Sequence, residues 1–269
     1  MYGSISFNQN GREFPYGGMN EAGLVIEMMM HENDEAVYPD LDVRHGLEEL
    51  QWIQYQLDMS ASVADVVASD AIVRISLASI APLHFLVSDA RGNVAAIEYV
   101  DGAMTVHTGK NLKFTALANN TYDLSLEYKT RLDAGAAKPE ERTTSSFNRF
   151  ARAAAMAGVY DRAHGSPVEY AFSVLDSVSS RATQWNIVCD TRDKTIHYRT
   201  RANRAVRGIA MSMFDYSCSS QRLFADIEKS ASGRADFEAY DPEVNLRLID
   251  EVWSSVAFLQ PLPRETRIA

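Results

Sequence analysis

Residues 15 to 24 read Pro-Tyr-Gly-Gly-Met-Asn-Glu-Ala-Gly-Leu, and no other stretch constrains the chain as tightly. A glycine pair before Met19-Asn20-Glu21 and a glycine after it mark a tight turn, because glycine accepts backbone angles that other residues adopt only at a cost. Tyr2 to Asn8 alternates and is rich in β-formers, and Leu24 to Met30 is a continuous apolar-leaning run. Two strands are therefore predicted, with Asn20 at the tip between them. A carboxamide there can donate hydrogen bonds to a developing negative charge, which is the task of an oxyanion-hole donor. The same residue types also build ordinary turns.

Further along, Leu47, Leu50, Ile53 and Leu57 recur at helical spacing with Trp52 and Tyr55 beside them, predicting an amphipathic helix that ends near Asp58. A short helix is expected from Ser62 to Ser69. His31 to Gly46, acidic and holding Pro39, reads as a long loop. Leu83 to Val87 and Val94 to Val100 flank Asp89-Ala90-Arg91-Gly92-Asn93 as a hairpin. Short strands are expected at Met104 to His107 and Phe114 to Ala116, and a surface loop at Asp133 to Glu141. Phe147 to Gly158 is an alanine-rich helix opened by Thr144-Ser145-Ser146, and Pro167 to Ser177 another with proline in its first turn. Gln184 to Cys189 and Thr195 to Thr200 form a hairpin through Asp193, and Val244 to Trp253 a last helix. Periodicity alone gives an α+β chain.

Composition narrows the chemistry. A formal charge of −10 and a pI near 5.1 argue against nucleic acid as a partner. Arg199, Arg201, Arg204 and Arg207 are the only basic cluster and read as a solvated hairpin loop. No apolar run approaches the ~18–20 residues needed to cross a bilayer, so no membrane partner is expected. Two cysteines are too few for a disulfide framework, and a Cys189–Cys218 bond and the compartment are left open. Cys189 lies in an apolar strand, where a thiol acts as a small hydrophobe, whereas Cys218 follows Tyr216 in a serine-rich segment without a neighbouring histidine. His84 is expected to face the strand core or sheet surface, and Met28 to Met30 to be core or pocket lining. The six histidines show no metal-binding spacing, and neither a phosphate loop nor a dinucleotide fingerprint occurs. Neither a metal nor a cofactor is predicted. There is also no Gly-x-Ser-x-Gly elbow to suggest a serine triad.

The segment Gly18-Met19-Asn20-Glu21-Ala22-Gly23-Leu24 resembles one in the choloylglycine hydrolase family. These linear-amide C–N hydrolases include conjugated bile salt hydrolases and penicillin V acylases and belong to the N-terminal-nucleophile superfamily. Four more segments match in the family's order. His84-Phe85-Leu86-Val87-Ser88-Asp89 with Gly92 and Ala95-Ala96-Ile97-Glu98 resembles its central hairpin. Thr115 to Tyr122 resembles its Thr-Asn turn, Ser145 to Arg152 its Ser-Arg-Phe-x-Arg helix start, and Thr183 to Asp190 its Thr-Gln-Tyr strand.

The resemblance implies a four-layer αββα sandwich in one domain over residues 1–269, lacking its N-terminal strands. It implies hydrolysis of a small-molecule N-acyl amide of the conjugated bile salt or penicillin V type, and often a homotetramer. Asn20 is implied as an oxyanion donor. Asn119 is implied as the amide contacting nucleophile and carbonyl, with Asn120 an alternative after a one-residue slip, and Arg149 as the charge holding the pocket network. The family's nucleophile is an N-terminal cysteine followed by an arginine and an aspartate; here Met1 and Tyr2 stand first, so those three cannot be assigned. The chain as given is expected to be inactive alone, with an unpaired sheet edge. The alternative is a ligand-binding relative that has lost the nucleophile.

Overall fold

The computed structural model describes residues 1–12, 14–32, 37–76, 79, 81–135, 145–229, 235–257 and 260. In chain order its first elements are β1 (Ser4–Phe7), β2 (Gly17–Asn20), β3 (Val25–Met30), β4 (His45–Leu47), α1 (Glu49–Met59), α2 (Val63–Ala68) and β5 (Val73–Ile75). Then come β6 (Leu83–Ser88), β7 (Val94–Val100), β8 (Ala103–Thr108), α3 (Tyr122–Asp133), α4 (Ser146–Ala157) and α5 (Pro167–Val178). The rest is β9 (Trp185–Asp190), β10 (Thr195–Thr200), β11 (Arg207–Ala210), β12 (Leu223–Phe224), β13 (Glu238–Ala239) and α6 (Pro242–Ser255).

Six strands form an antiparallel sheet in the order β1-β2-β3-β6-β7-β8, and three form a second sheet, β11-β10-β9. Side chains alternate between the two faces of each strand, and that alternation sorts the core. Ile26, Phe85, Val87, Ile97 and Tyr99 meet Trp52, Ile53 and Leu57 of α1 on one face. Phe7, Met19 and Val25 point the other way, against Ile196, Tyr198 and Ile209 of the second sheet. Helix α5 covers β9, and α4 packs on α5. The layers therefore run helix, sheet, sheet, helix, the αββα sandwich. Beside the second sheet, Ala96 of the first is capped by Tyr122 of α3 and by Phe150 and Ala154 of α4. Trp52 is the keystone of the first core. It is fully buried, 4.5 Å from Phe85 and edge-on to Tyr99, and truncating it to alanine would cost about 3–5 kcal/mol.

Two expectations need correction, the strand at Phe114 to Ala116 and the solvated basic cluster. Phe114 to Ala116 forms no strand, because Tyr122 Oη accepts from Phe114 N and donates to Phe114 O, holding the segment against α3 instead of a sheet edge. Helix α3 gave no apolar stripe to read, since Ser125 and Lys129 are among its buried residues. The basic cluster is a solvated loop only in part: Arg201 and Arg204 are exposed between β10 and β11. Arg199 and Arg207 are buried, stacked on Phe172 and Tyr198, and Arg199 with Arg204 grips Asp176. Cys189 and Cys218 are free thiols and make no bond. The predicted loop at 133–141 falls mostly outside the described residues, as does part of 31–46.

Candidate active site

Strand β3 has a polar site at each end. At its start, Asn20 N donates to Leu24 O, while Gly23 takes φ +87° and donates to Asn20 O. A side chain at Gly23 would meet both that left-handed backbone and Ala90 at 2.9 Å. Asn20 is fully buried. Its Nδ2 donates to Leu57 O (2.8 Å) and Ser60 O (2.7 Å), and its Oδ1 accepts from Ala22 N and Leu24 N. Both N–H bonds are spent on the end of α1. As an oxyanion donor Asn20 therefore has nothing left to give. Its work here is to bolt the β2–β3 turn to the helix.

At the other end, Asn119 Nδ2 donates to Met30 O (2.6 Å), and Asn119 O accepts from Glu32 N (2.7 Å). Asn119 Oδ1 accepts from Arg149 at 2.5 Å, and Ser146 Oγ at the start of α4 accepts from both Asn119 N (2.7 Å) and Asn120 N (3.0 Å). Ser145 caps that helix, accepting from Asn148 N. Asn119 is half-buried and uses one of its two Nδ2 hydrogens among the described residues. Asn120, the alternative, is buried. Burial lowers the Arg149 pKa, Glu32 raises it and Arg152 lowers it again; a guanidinium keeps its charge through such shifts. From Leu24 to Met30 the strand advances roughly 20 Å at ~3.3 Å per residue. The structure thus joins Asn119 to Arg149 and leaves Asn20 remote from both.

Behind Asn119 lies a network that no sequence spacing announced. Tyr122 N donates to both oxygens of Glu98 (2.9 and 3.1 Å), and His84 Nε2 donates to Ala118 O at 2.6 Å. Glu98 also meets His84 Nδ1 at 2.9 Å and His107 Nε2 at 3.1 Å. The turn carrying Asn119 is therefore pinned on both sides. Burial pushes the Glu98 pKa up, but His107, His84 and the Tyr122 N–H outweigh it and hold it at about 2. His31, stacked on His84 at 3.9 Å, is lowered to about 4 by burial and by His84, against the pull of Glu98. Of the two placements expected for His84, strand core or sheet surface, the structure shows full burial, and its partners Glu98, Ala118 and His31 come from three other segments.

Residues 4–160 match the family described as linear amide C-N hydrolases, choloylglycine hydrolase family. The chain belongs to that family. It is 26% identical to penicillin V acylase of Pectobacterium atrosepticum in a 240-residue alignment covering 73% of this chain and 62% of the relative, so it spans less than two thirds of that protein's length. The structure is similar to penicillin V acylase from Agrobacterium tumefaciens, with TM-score 0.72, 25% identity, and coverage of 90% of this chain and 82% of the other. It also resembles a variant of conjugated bile acid hydrolase from Clostridium perfringens, with TM-score 0.67, 15% identity, and 89% and 82% coverage, a likeness of fold. The matched choloylglycine-family region contains Asn20, Asn119 and Arg149.

Other nucleophile candidates fare poorly. Cys189 faces the inter-sheet core, and burial first, then Glu27, raise its pKa well above the usual thiol range. Cys218 is exposed. An apolar groove of about 380 Å³ runs along α5 and β9 past Tyr160, Tyr170, Val174 and Ile187, and a polar one of about 350 Å³ lies at Val37 to Arg44. Neither is lined by Asn119 or Arg149. No helix among the described residues is long and apolar enough to cross a membrane.

Proposed function

We propose that this choloylglycine-family chain carries the electrophile-stabilising part of an amide hydrolase that cuts an acyl group from a small amine, on substrates of the penicillin V type. The observation that carries this reading is the spare Nδ2 hydrogen of Asn119, held in place by Met30 O and by the Arg149 guanidinium on Oδ1. When a nucleophile attacks an amide carbonyl, charge gathers on the carbonyl oxygen, and a fixed N–H stabilises it without having to reorient. Arg149 adds a positive charge one bond removed and polarises the carboxamide. The preference for penicillin V over bile salts rests on the acylase relatives at 25–26% identity.

The attacking group in this reading is an N-terminal cysteine, whose own amine serves as base, ahead of Tyr2 in the intact protein. The thiol adds to the carbonyl, the C–N bond breaks, the amine leaves with a proton, and water then hydrolyses the thioester. Neither Cys189 nor Cys218 can play this part, since an internal cysteine has no α-amino group to deprotonate it.

The test compares residues 1–269 with a form extended by a cysteine-initiated segment, each assayed on penicillin V and glycocholate. Hydrolysis is expected only in the extended form, and it should fall roughly 10²–10³-fold in kcat on Asn119→Ala. Robust turnover by 1–269 that vanishes in Cys218→Ala would overturn the assignment. Saturable binding without turnover in the extended form would instead favour a ligand-binding relative.

A further inference from the structure

We propose that His31 Nε2, His84 Nδ1 and Glu98 Oε1 form a binding site for a divalent first-row transition cation, with Zn²⁺ the ion used to test it. The first support is His31. Its side chain is wholly buried, yet neither Nδ1 nor Nε2 has a hydrogen-bond partner among the described residues. Buried polar atoms are nearly always paired, so an imidazole with two idle nitrogens beside a buried carboxylate points to an absent third party.

Geometry supplies the second support. The three donor atoms lie within 4.8 Å of one another: His84 Nδ1 is 2.9 Å and His31 Nε2 3.9 Å from the same oxygen, Glu98 Oε1. Ligands about 2.0–2.2 Å from one ion stand roughly 3–4 Å apart, so a small turn of the His31 ring closes the set. That ring already stacks on His84.

The surroundings are those of a metal site. His84 gives its Nε2–H to Ala118 O, which leaves the Nδ1 lone pair directed at Glu98; two lone pairs facing each other call for a proton or a cation between them. A ligand histidine whose other nitrogen is fixed by a carbonyl is the usual outer-shell arrangement. Glu98 Oε2 is likewise held by His107 Nε2, and Tyr122 N spans both oxygens. Two imidazoles with one carboxylate suit zinc, cobalt, nickel or iron(II) and not the all-oxygen shells of calcium or magnesium. A bound ion would stiffen the turn from Ala118 to Tyr122 that presents Asn119.

The experiment uses the full 269-residue chain, stripped with a chelator and dialysed. Zn²⁺ binding is followed by calorimetry and by the shift in Tm, and Co²⁺ binding by visible ligand-field absorption. One equivalent of either ion is expected to bind, with Tm rising in Zn²⁺. His31→Phe keeps the stacked ring but removes both nitrogens, and should weaken binding at least ~10-fold while leaving the metal-free circular dichroism unchanged. Glu98→Gln should weaken it as well. Cys218→Ser and His164→Ala, both at exposed positions, should bind as the parent does. Absence of stoichiometric binding would overturn the site and leave a proton between His84 and Glu98. Binding that survives His31→Phe, or that is lost in Cys218→Ser or His164→Ala, would overturn it too. None of these readouts depends on amide hydrolysis, so the site and the proposed activity stand or fall separately.

Discussion

Asn20 and Asn119 look alike in the sequence, each an asparagine in a glycine- or asparagine-rich turn, yet they occupy the two ends of β3 in opposite ways. Asn20 is fully enclosed and spends all it can donate on Leu57 and Ser60. Asn119 is half-open, held at Oδ1 by Arg149, and keeps one N–H in reserve. A carboxamide becomes a candidate catalyst through what it has left over after folding. Residue type cannot report that remainder; the hydrogen-bond count can.

The sharpest test of the contrast is Asn20→Ala, which strips two buried carbonyls and two turn amides of their partners. A loss of about 3–5 kcal/mol in urea unfolding is expected, and a change below about 1 kcal/mol would dissolve the distinction. Midway along the strand, Glu27 is half-buried and probes how far water reaches the stretch between the two ends. It faces the second sheet without a hydrogen-bond or ion-pair partner among the described residues, and burial pushes its pKa up to about 8. The folded chain therefore keeps a proton there from pH 4.5 to 8 while the unfolded chain releases it, so stability falls as pH rises through that window. Glu27→Gln should remove about 2 kcal/mol of that fall, a figure reduced for residual solvent contact. Identical Tm-versus-pH curves for parent and variant would show that water reaches the carboxyl.

At the Asn119 end, Ser146→Ala would orphan the amides of Asn119 and Asn120 together. A cost of about 1–2 kcal/mol by thermal unfolding is expected. Asn119→Ala should have the smallest effect on stability, about 1 kcal/mol or less, because its partners can reach solvent. If Asn119→Ala proved as destabilising as Asn20→Ala, the two ends of β3 would be equivalent and the donor assignment would lose its basis.

The layers were legible wherever burial follows a simple period. The β6–β7 hairpin, helix α1 with Trp52, and the capped helix α4 all lie where alternation and helical spacing put them. Helix α3 and strand β11 escaped notice for the same reason. Their buried positions include Lys129 and Arg207, whose long side chains cover apolar surface while reading as polar letters. For the site, the sequence offered Asn119 and Arg149 as separate candidates, and the structure places them in hydrogen-bond contact. The separation of Asn20 from that pair depends on strand direction, which no local motif encodes. The cluster of His31, His84, Glu98 and His107 is assembled by register across three strands and a strand exit, so its members are scattered along the chain.

The clasp at Asn20 has a consequence for how the molecule breathes. The amides of Ala22 and Leu24 are held by Asn20 Oδ1, and that side chain is itself tethered to the last turn of α1. Their hydrogen-exchange rates are then governed by undocking of the helix and not by fraying of the hairpin to which they belong. Two turn amides that ought to exchange among the fastest become clocks for the opening of an entire layer.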